Sequence, residues 1–361
     1  MFATLAGEYP REPRPGEDDL LGEADRRLAA GEIDPVEHEA VRRAVVTTVV
    51  GELETSGLAV LTDGDVRHAD RLAPLVAGLG GAATRRQVEL PDGATVAAPR
   101  FDALPVWGSP ISVDAWRWAA QATEQVVKQV VVGPYTISRA AEPGAVPRAD
   151  LAIGLAEALN AELRALADAG CPLIQVDEGA LTTIGAEQAE WRLYAETQRR
   201  LTAGLDDTHL SLGLHRGGVD PTGHRPILDG PYRSFLFDGL GGPDAWRFAF
   251  AVPNELGVIV GALDAASTER DESEVLVWAL AWAADRGRTP ERIGIASNGS
   301  LRAIGRHAAR RKIELMGEAV GIAAMGPIGE VAEALDPDPL ESRMAPLRSM
   351  AEAVDAGRTA R

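Results

Sequence analysis

An α/β chain closed into a single (β/α)8 TIM barrel is the fold the sequence predicts, on three observations. Eight short apolar runs of strand length recur along it, most of them are separated by amphipathic stretches of helix length, and polar or acidic clusters stand at the C-terminal ends of several runs. Strands alternating with helices pair in parallel, and eight of them over roughly 300 residues suit a closed barrel better than an open sheet. One domain over residues 1–361 is expected, with a hairpin insertion near residues 85–100.

The first strand is read over 3–7, followed by the proline-interrupted segment Glu8-Tyr9-Pro10-Arg11. The charged stretch up to Gly31 carries one helix. Asp34, Pro35 and Glu37 then make a helix start, with Asp34 as N-cap, Pro35 at the first position and Glu37 closing a capping box. That helix runs to about Ser56 and stops at Gly57; 58–62 is the second strand, turned by Asp63-Gly64-Asp65. Residues 88–96 read as a hairpin about Asp92-Gly93, on the surface or over a pocket mouth. A helix from Asp114 leads into the third strand, 129–133, which ends in Gly133-Pro134-Tyr135-Thr136. Leu151, Leu155, Leu159, Leu163 and Leu166 mark one face of a long helix ended by Gly170. Leu173 to Val176 form the fourth strand and release Asp177 and Glu178. Burying two adjacent acids is costly unless a cation or hydrogen-bond donors meet them; the alternative is that one of them caps the next helix.

A helix over 186–203 precedes the fifth strand, 209–215, and a glycine-rich loop covers 216–226. Residues 231–240 read as a short helix, and 247–252 and 257–263 as the sixth and seventh strands, with only a few residues between them. A helix over 269–286, the eighth strand at 292–296, and helices over 300–317 and 340–356 complete the chain.

The net charge of -18 excludes a nucleic-acid or anionic membrane partner, both being polyanionic. No apolar run reaches the roughly 20 residues that span a bilayer, and Met1 to Leu5 lack the features of a leader, so a cytoplasmic location is the default. A single cysteine, Cys171, leaves no internal disulfide and no cysteine-based metal cluster. The expected partner is a small-molecule substrate, and a homodimer is admitted.

In a barrel, the C-terminal strand ends converge on one mouth. Glu8, Tyr9 and Arg11, Asp63, Asp65 and Arg67, Tyr135, Asp177 and Glu178, and His215 and Arg216 all stand at such ends. Singly each reads as a cap, a turn or a surface pair. Together they point to a cationic or amine-bearing ligand, or to a carboxylate of raised pKa. Asp177 and His215 are the candidate catalytic residues, and the others are candidate substrate contacts. His209, His215 and His224 fall in one short stretch, and imidazole suits zinc. His209, however, opens the fifth strand and His215 ends it, which sets them at opposite barrel faces. Cys171 precedes its strand, on the wrong side for a nucleophile. Trp116, Trp118, Trp278 and Trp282 fall at helical spacings and read as packing.

These segments resemble the catalytic C-terminal barrel of cobalamin-independent methionine synthase, particularly its short single-barrel relatives. Thr4 to Arg11 is similar to the family's "vGSFPR" segment, Gly57 to Arg67 to its "DGE" turn, Val132 to Ile137 to "tGPyTl", and Ile174 to Leu181 to "IQvDEpaL". The resemblance implies methyl transfer from a folate to a thiol held as a zinc thiolate, with ligands from a His-x-Cys motif, a Glu on the next strand and a late Cys. The first motif falls on Gly213-Leu214-His215, with His215 in the Cys position; slipped, it falls on His209-Leu210-Ser211. The Glu position falls within 248–251, which has no acid, with Glu255 just beyond, and the late Cys within 297–300. The zinc ligands are therefore read as lost, and no metal is expected. By the same resemblance Asp65 and Asp177 would meet a substrate ammonium, whereas Glu8 replaces a Ser that would help hold a carboxylate, so homocysteine is not expected as substrate. The aromatic that would stack on the pterin falls near Arg139-Ala140; 5-methyltetrahydrofolate is retained as a donor. The leading expectation is a metal-free methyltransferase, set against authentic zinc- and folate-dependent methionine-synthase-type transfer with rearranged ligands, a decarboxylase or lyase, or a binding barrel without catalysis.

Overall fold

The computed structural model describes residues 1–13, 16, 18–269 and 271–335; the helix expected over 340–356 lies outside the described residues. The barrel strands are β1 (Phe2–Ala3), β2 (Val60–Leu61), β3 (Val126–Val127 continued as Gln129–Val132), β4 (Ile174–Asp177), β5 (Leu210–Gly213), β6 (Ser234–Asp238), β7 (Gly257–Leu263) and β8 (Ile293–Ser297). β1 pairs with β8, and β8, β7, β6, β5, β4 and β3 follow in order, every pair parallel. β3 also pairs with β2 through Val126–Val127. A parallel bridge from Thr4 to Val60 brings β2 back to β1, with Thr4 Oγ1 donating to the Val60 carbonyl at 2.8 Å. The eight strands thus close.

The long helices form where the pattern places them. Pro35–Thr55 opens on Asp34, whose carboxylate accepts from the Glu37 N–H at 2.8 Å while Glu37 accepts from the Asp34 N–H at 3.0 Å. Arg148–Asp168 buries Leu151, Leu155, Leu159, Leu163 and Leu166. The hairpin pairs Ala82–Glu89 with Thr95–Arg100 in antiparallel register. Trp246, Trp278 and Trp282 pack on one another as core. No helix among the described residues is long and apolar enough to cross a membrane.

The second half departs from expectation at three points. The sixth strand is Ser234–Asp238, where a helix over 231–240 is expected, and 247–252 belongs largely to the helix Pro243–Ala251. Phe235, Leu236 and Phe237 are an unbroken buried run, and such a run carries no periodicity that separates strand from helix. Pro243 at the first helical position, after Gly242 at φ +115°, is the start signal that settles the later segment. With this shift the improbably short link after residue 252 becomes an ordinary helix-to-strand loop. The expected loop over 216–226 contains the start of the helix Pro221–Leu228, capped by Asp220. The helix expected over 300–317 begins only at Arg306, after a short 3-10 turn at Arg302–Ile304.

Candidate functional site

The acids released by the strands do converge, and the cation at their centre belongs to the chain. Arg71, in the loop after β2, is buried, and its guanidinium meets three carboxylates: Asp92 from the hairpin tip at 2.5 Å, Asp177 at 3.1 Å and Asp65 at 3.4 Å. A buried arginine is tolerable only with such partners, and the surrounding acids hold its pKa above the ordinary value despite burial. Glu8 is likewise met from within: Arg302 donates to it at 2.7 Å and Ser300 Oγ at 3.0 Å. Asp65 sits at φ +52°, a conformation that short polar side chains tolerate best. Its carboxyl is pushed up to about 8, first by loss of hydration, with Asp63, Glu8 and Asp177 adding to the effect and Arg71 opposing it. Asp63 accepts the Asp65 N–H at 3.0 Å and lines, with Asp65, Arg67, His68 and Arg71, a cavity of about 60 Å³.

Asp177 is the second centre. Burial alone would raise its pKa, but His215, Arg71 and Gln175 hold it below the usual carboxylate value. His215 is fully buried, with Nε2 2.9 Å from Asp177 Oδ1; burial disfavours its charge, but Asp177 prevails and raises its pKa above 6.5. Among the described residues neither ring nitrogen has a well-aligned hydrogen-bond partner, so Nδ1 is buried and unpaired. Gly213 makes this approach feasible, since a Cβ there would lie 2.3 Å from Asp177 Oδ1. Beneath the pair, Gln175 donates to Asp177 at 2.7 Å and accepts from Lys128 Nζ at 2.7 Å. Lys128 also donates to the Leu5 carbonyl, and its burial brings it down to about 7.

Asp238, at the end of β6, completes the rim. It accepts from the Gly217 N–H at 2.8 Å, the Leu240 N–H at 2.9 Å and Asn298 Nδ2 at 3.2 Å, and burial raises its pKa. The misplaced sixth strand hid it from sequence reasoning. Arg71 and Asp92 were missed too: one lies in an unpatterned loop, the other in what reads as a plain turn.

Other expected contacts turn elsewhere. Glu178 is enclosed by Tyr135 N–H, Thr136 N–H and Oγ1, and Gln198 Nε2, ties that fasten the loop after β3 to β4, while burial raises it to about 7. Tyr135 donates to Glu190 at 2.6 Å and Tyr9 to Glu52 at 3.2 Å. Arg11 pairs with Asp25; Arg67 pairs with Glu39 and lies over Trp118; Arg216 reaches Glu89 of the hairpin at 3.2 Å. His209 contacts Ser234 at the strand-start face and His224 the Val219 carbonyl, so neither joins His215. A larger cavity of about 950 Å³, with His209 and Arg233 in its lining, lies at that opposite face.

Fold and site together define an α/β barrel whose polar centre, built from the loops after its strands, lies at the C-terminal mouth. The chain belongs to the cobalamin-independent synthase family, whose catalytic domain matches residues 1–212. It is 29% identical over 192 residues to a methionine synthase of Sulfolobus acidocaldarius, covering 53% of this chain and 55% of that one. The corresponding figures for a methionine synthase of Sulfurisphaera tokodaii are 29% over 194 residues, 53% and 55%. The chain thus spans about half the length of the curated relatives it matches. A B12-independent methionine synthase from Shewanella sp. W3-18-1, solved in complex with selenomethionine, shares the fold with a TM-score of 0.70 at 16% identity, over 89% of this chain and 97% of that one.

The family match ends inside β5, just before Gly213 and His215. With β6 placed, the acid position of the resemblance falls on Asp238 rather than within 248–251, and at the end of β8 Asn298 faces it. The donor set is then one imidazole, one carboxylate already hydrogen-bonded three times, and an amide. No group of three His, Cys, Asp or Glu that could hold a metal ion occurs among the described residues. Cys171 lies before β4, its thiol pushed up to about 11 by burial. These residues do not fit a zinc ion held by thiolates.

Proposed function

We propose that the chain is a methyltransferase of the methionine-synthase type that works without a metal ion. Its acceptor is an amine-bearing small molecule rather than homocysteine, and its donor a folate-type compound such as 5-methyltetrahydrofolate. The observation that carries this reading is the buried Asp177–His215 pair with its unpaired Nδ1, at the mouth of a barrel of this family. A neutral amine carries a reactive lone pair and needs only a base for the proton it sheds as its bond to the methyl forms, so its alkylation calls for no metal ion. Asp177, 2.9 Å from Nε2, favours the charged imidazole, and the unpaired Nδ1 is the nitrogen that takes that proton as the nitrogen–methyl bond forms. The donor nitrogen keeps the electron pair of the bond that breaks and takes up a proton. Asp65, whose carboxyl loss of hydration pushes up to about 8 against the pull of Arg71, is the group assigned to supply it.

The test is transfer of labelled methyl from 5-methyltetrahydrofolate to a panel of primary and secondary amines and to homocysteine, read by mass spectrometry with and without a chelator. Label on an amine, undiminished by the chelator, is the expected result. Label on homocysteine alone, and only with zinc present, contradicts it.

A further inference from the structure

We propose that the hairpin is a displaceable plug and that Asp92 at its tip is a stand-in for a substrate carboxylate, for which Arg71 is the anchor. The inference rests on the mouth being the substrate site and concerns how that site opens. Four contacts seat the tip. Asp92 binds Arg71 with its carboxylate, and its carbonyl accepts the Ser300 N–H at 2.9 Å. Pro91 packs on Gly179 after β4, where an added Cβ would come within 2.8 Å of it. Gly93 lies under the Arg216 guanidinium after β5, where an added Cβ would come within 2.4 Å. Loops after β2, β4, β5 and β8 therefore grip the tip, and Arg216 also holds its flank through Glu89.

The seated tip takes the place on Arg71 that a ligand carboxylate would occupy. The cavity beside Asp65 is about 60 Å³, whereas sites for drug-sized ligands run to about 300–1,000 Å³. Neither a donor nor an acceptor fits that cavity, and Asp92 holds the place on Arg71 while the tip is seated. When it withdraws, Arg71 loses the nearest of its three carboxylates and exposes a planar fork suited to bidentate carboxylate binding. The other two, Asp65 in the turn after β2 and Asp177 at the end of β4, stay. A ligand that brings its own carboxylate restores the missing partner; one without it leaves a buried cation under-compensated. The plug thus favours carboxylate-bearing ligands and excludes water from the site between turnovers.

The experiment uses the full chain, acetate as probe and acetamide as its uncharged counterpart, so it does not depend on turnover or on the identity of the acceptor. Asp92→Ala removes the stand-in. Hydrogen exchange at the amides of the two hairpin strands is expected to speed up at least about tenfold while the barrel helices stay protected. Titration calorimetry should find acetate bound about tenfold more tightly than by the unmodified chain, because the competent state is more populated, with acetamide unchanged. Asp92→Asn, which keeps the shape of the side chain, should give the same acetate gain if the variant with alanine proves unstable. Unaltered hairpin exchange, or equal acetate affinity in both proteins, overturns the proposal. A negative methyl-transfer assay alongside a positive acetate result would reject the methyltransferase reading and leave the plug standing.

Discussion

Arg71 changes what the acids of the mouth mean. Read as a string, Asp65 and Asp177 call for a positive charge from outside; in the fold, three carboxylates from three segments end on one guanidinium. Removing one member of such a buried set leaves the rest uncompensated, so Arg71→Met should destabilise by about 3–5 kcal/mol, read from urea unfolding. His215 gives a pH signature. Asp177 raises its pKa, so methyl transfer that needs the neutral imidazole should rise with pH through a value above 6.5. In Asp177→Asn the limb should move to lower pH as maximal activity falls; a limb that stays put assigns it to another group. The raised carboxyls set a second pH dependence. Asp65 and Glu178 hold protons in the folded state that the unfolded chain gives up near pH 4. Their contribution to stability is therefore full below that point and is lost as pH rises through their folded values, near 8 and 7. Unfolding free energy should decline from pH 5 toward pH 7, and Asp65→Asn should flatten the decline. Asp65, Asp177 and His215 were legible in the sequence because strand ends are; Arg71 and Asp92 were not, since no pattern marks the loop residue or the turn that the fold brings together.

Helices announced by caps and stripes were the clearest elements. Asp34 with Glu37, and the five leucines from Leu151 to Leu166, each carry a local physical signal that tertiary packing does not override. β6 carried none, because a strand buried on both faces has no alternation to read. Its displacement concealed Asp238, and with it the correct comparison to the metal-ligand positions. Asp34→Ala should cost about 1 kcal/mol through loss of the cap, measured as a shift of the denaturation midpoint. A tighter constraint holds where the first long helix ends against Arg306–Ala323. There a Cβ on Gly317 would lie 1.9 Å from the Ser56 carbonyl, so Gly317→Ala should cost about 1–3 kcal/mol by overpacking. A neutral result would mean that the two helices are free to part.

At the level of the whole molecule the barrel is divided in character rather than in fold. Residues 1–212 carry the family's sequence, and β6 to β8 complete the same architecture with Asp238 and Asn298 hydrogen-bonded to each other where the resemblance calls for metal ligands. The fold was legible from the alternation of strands and helices; the departure from the family's ligand motif was legible only in part, from His215 and the absence of a second cysteine. The most direct test is the methyl-transfer rate of one preparation before and after exhaustive chelation, with zinc then restored. The account predicts one rate throughout. A rate that vanishes on chelation and returns with zinc would contradict it.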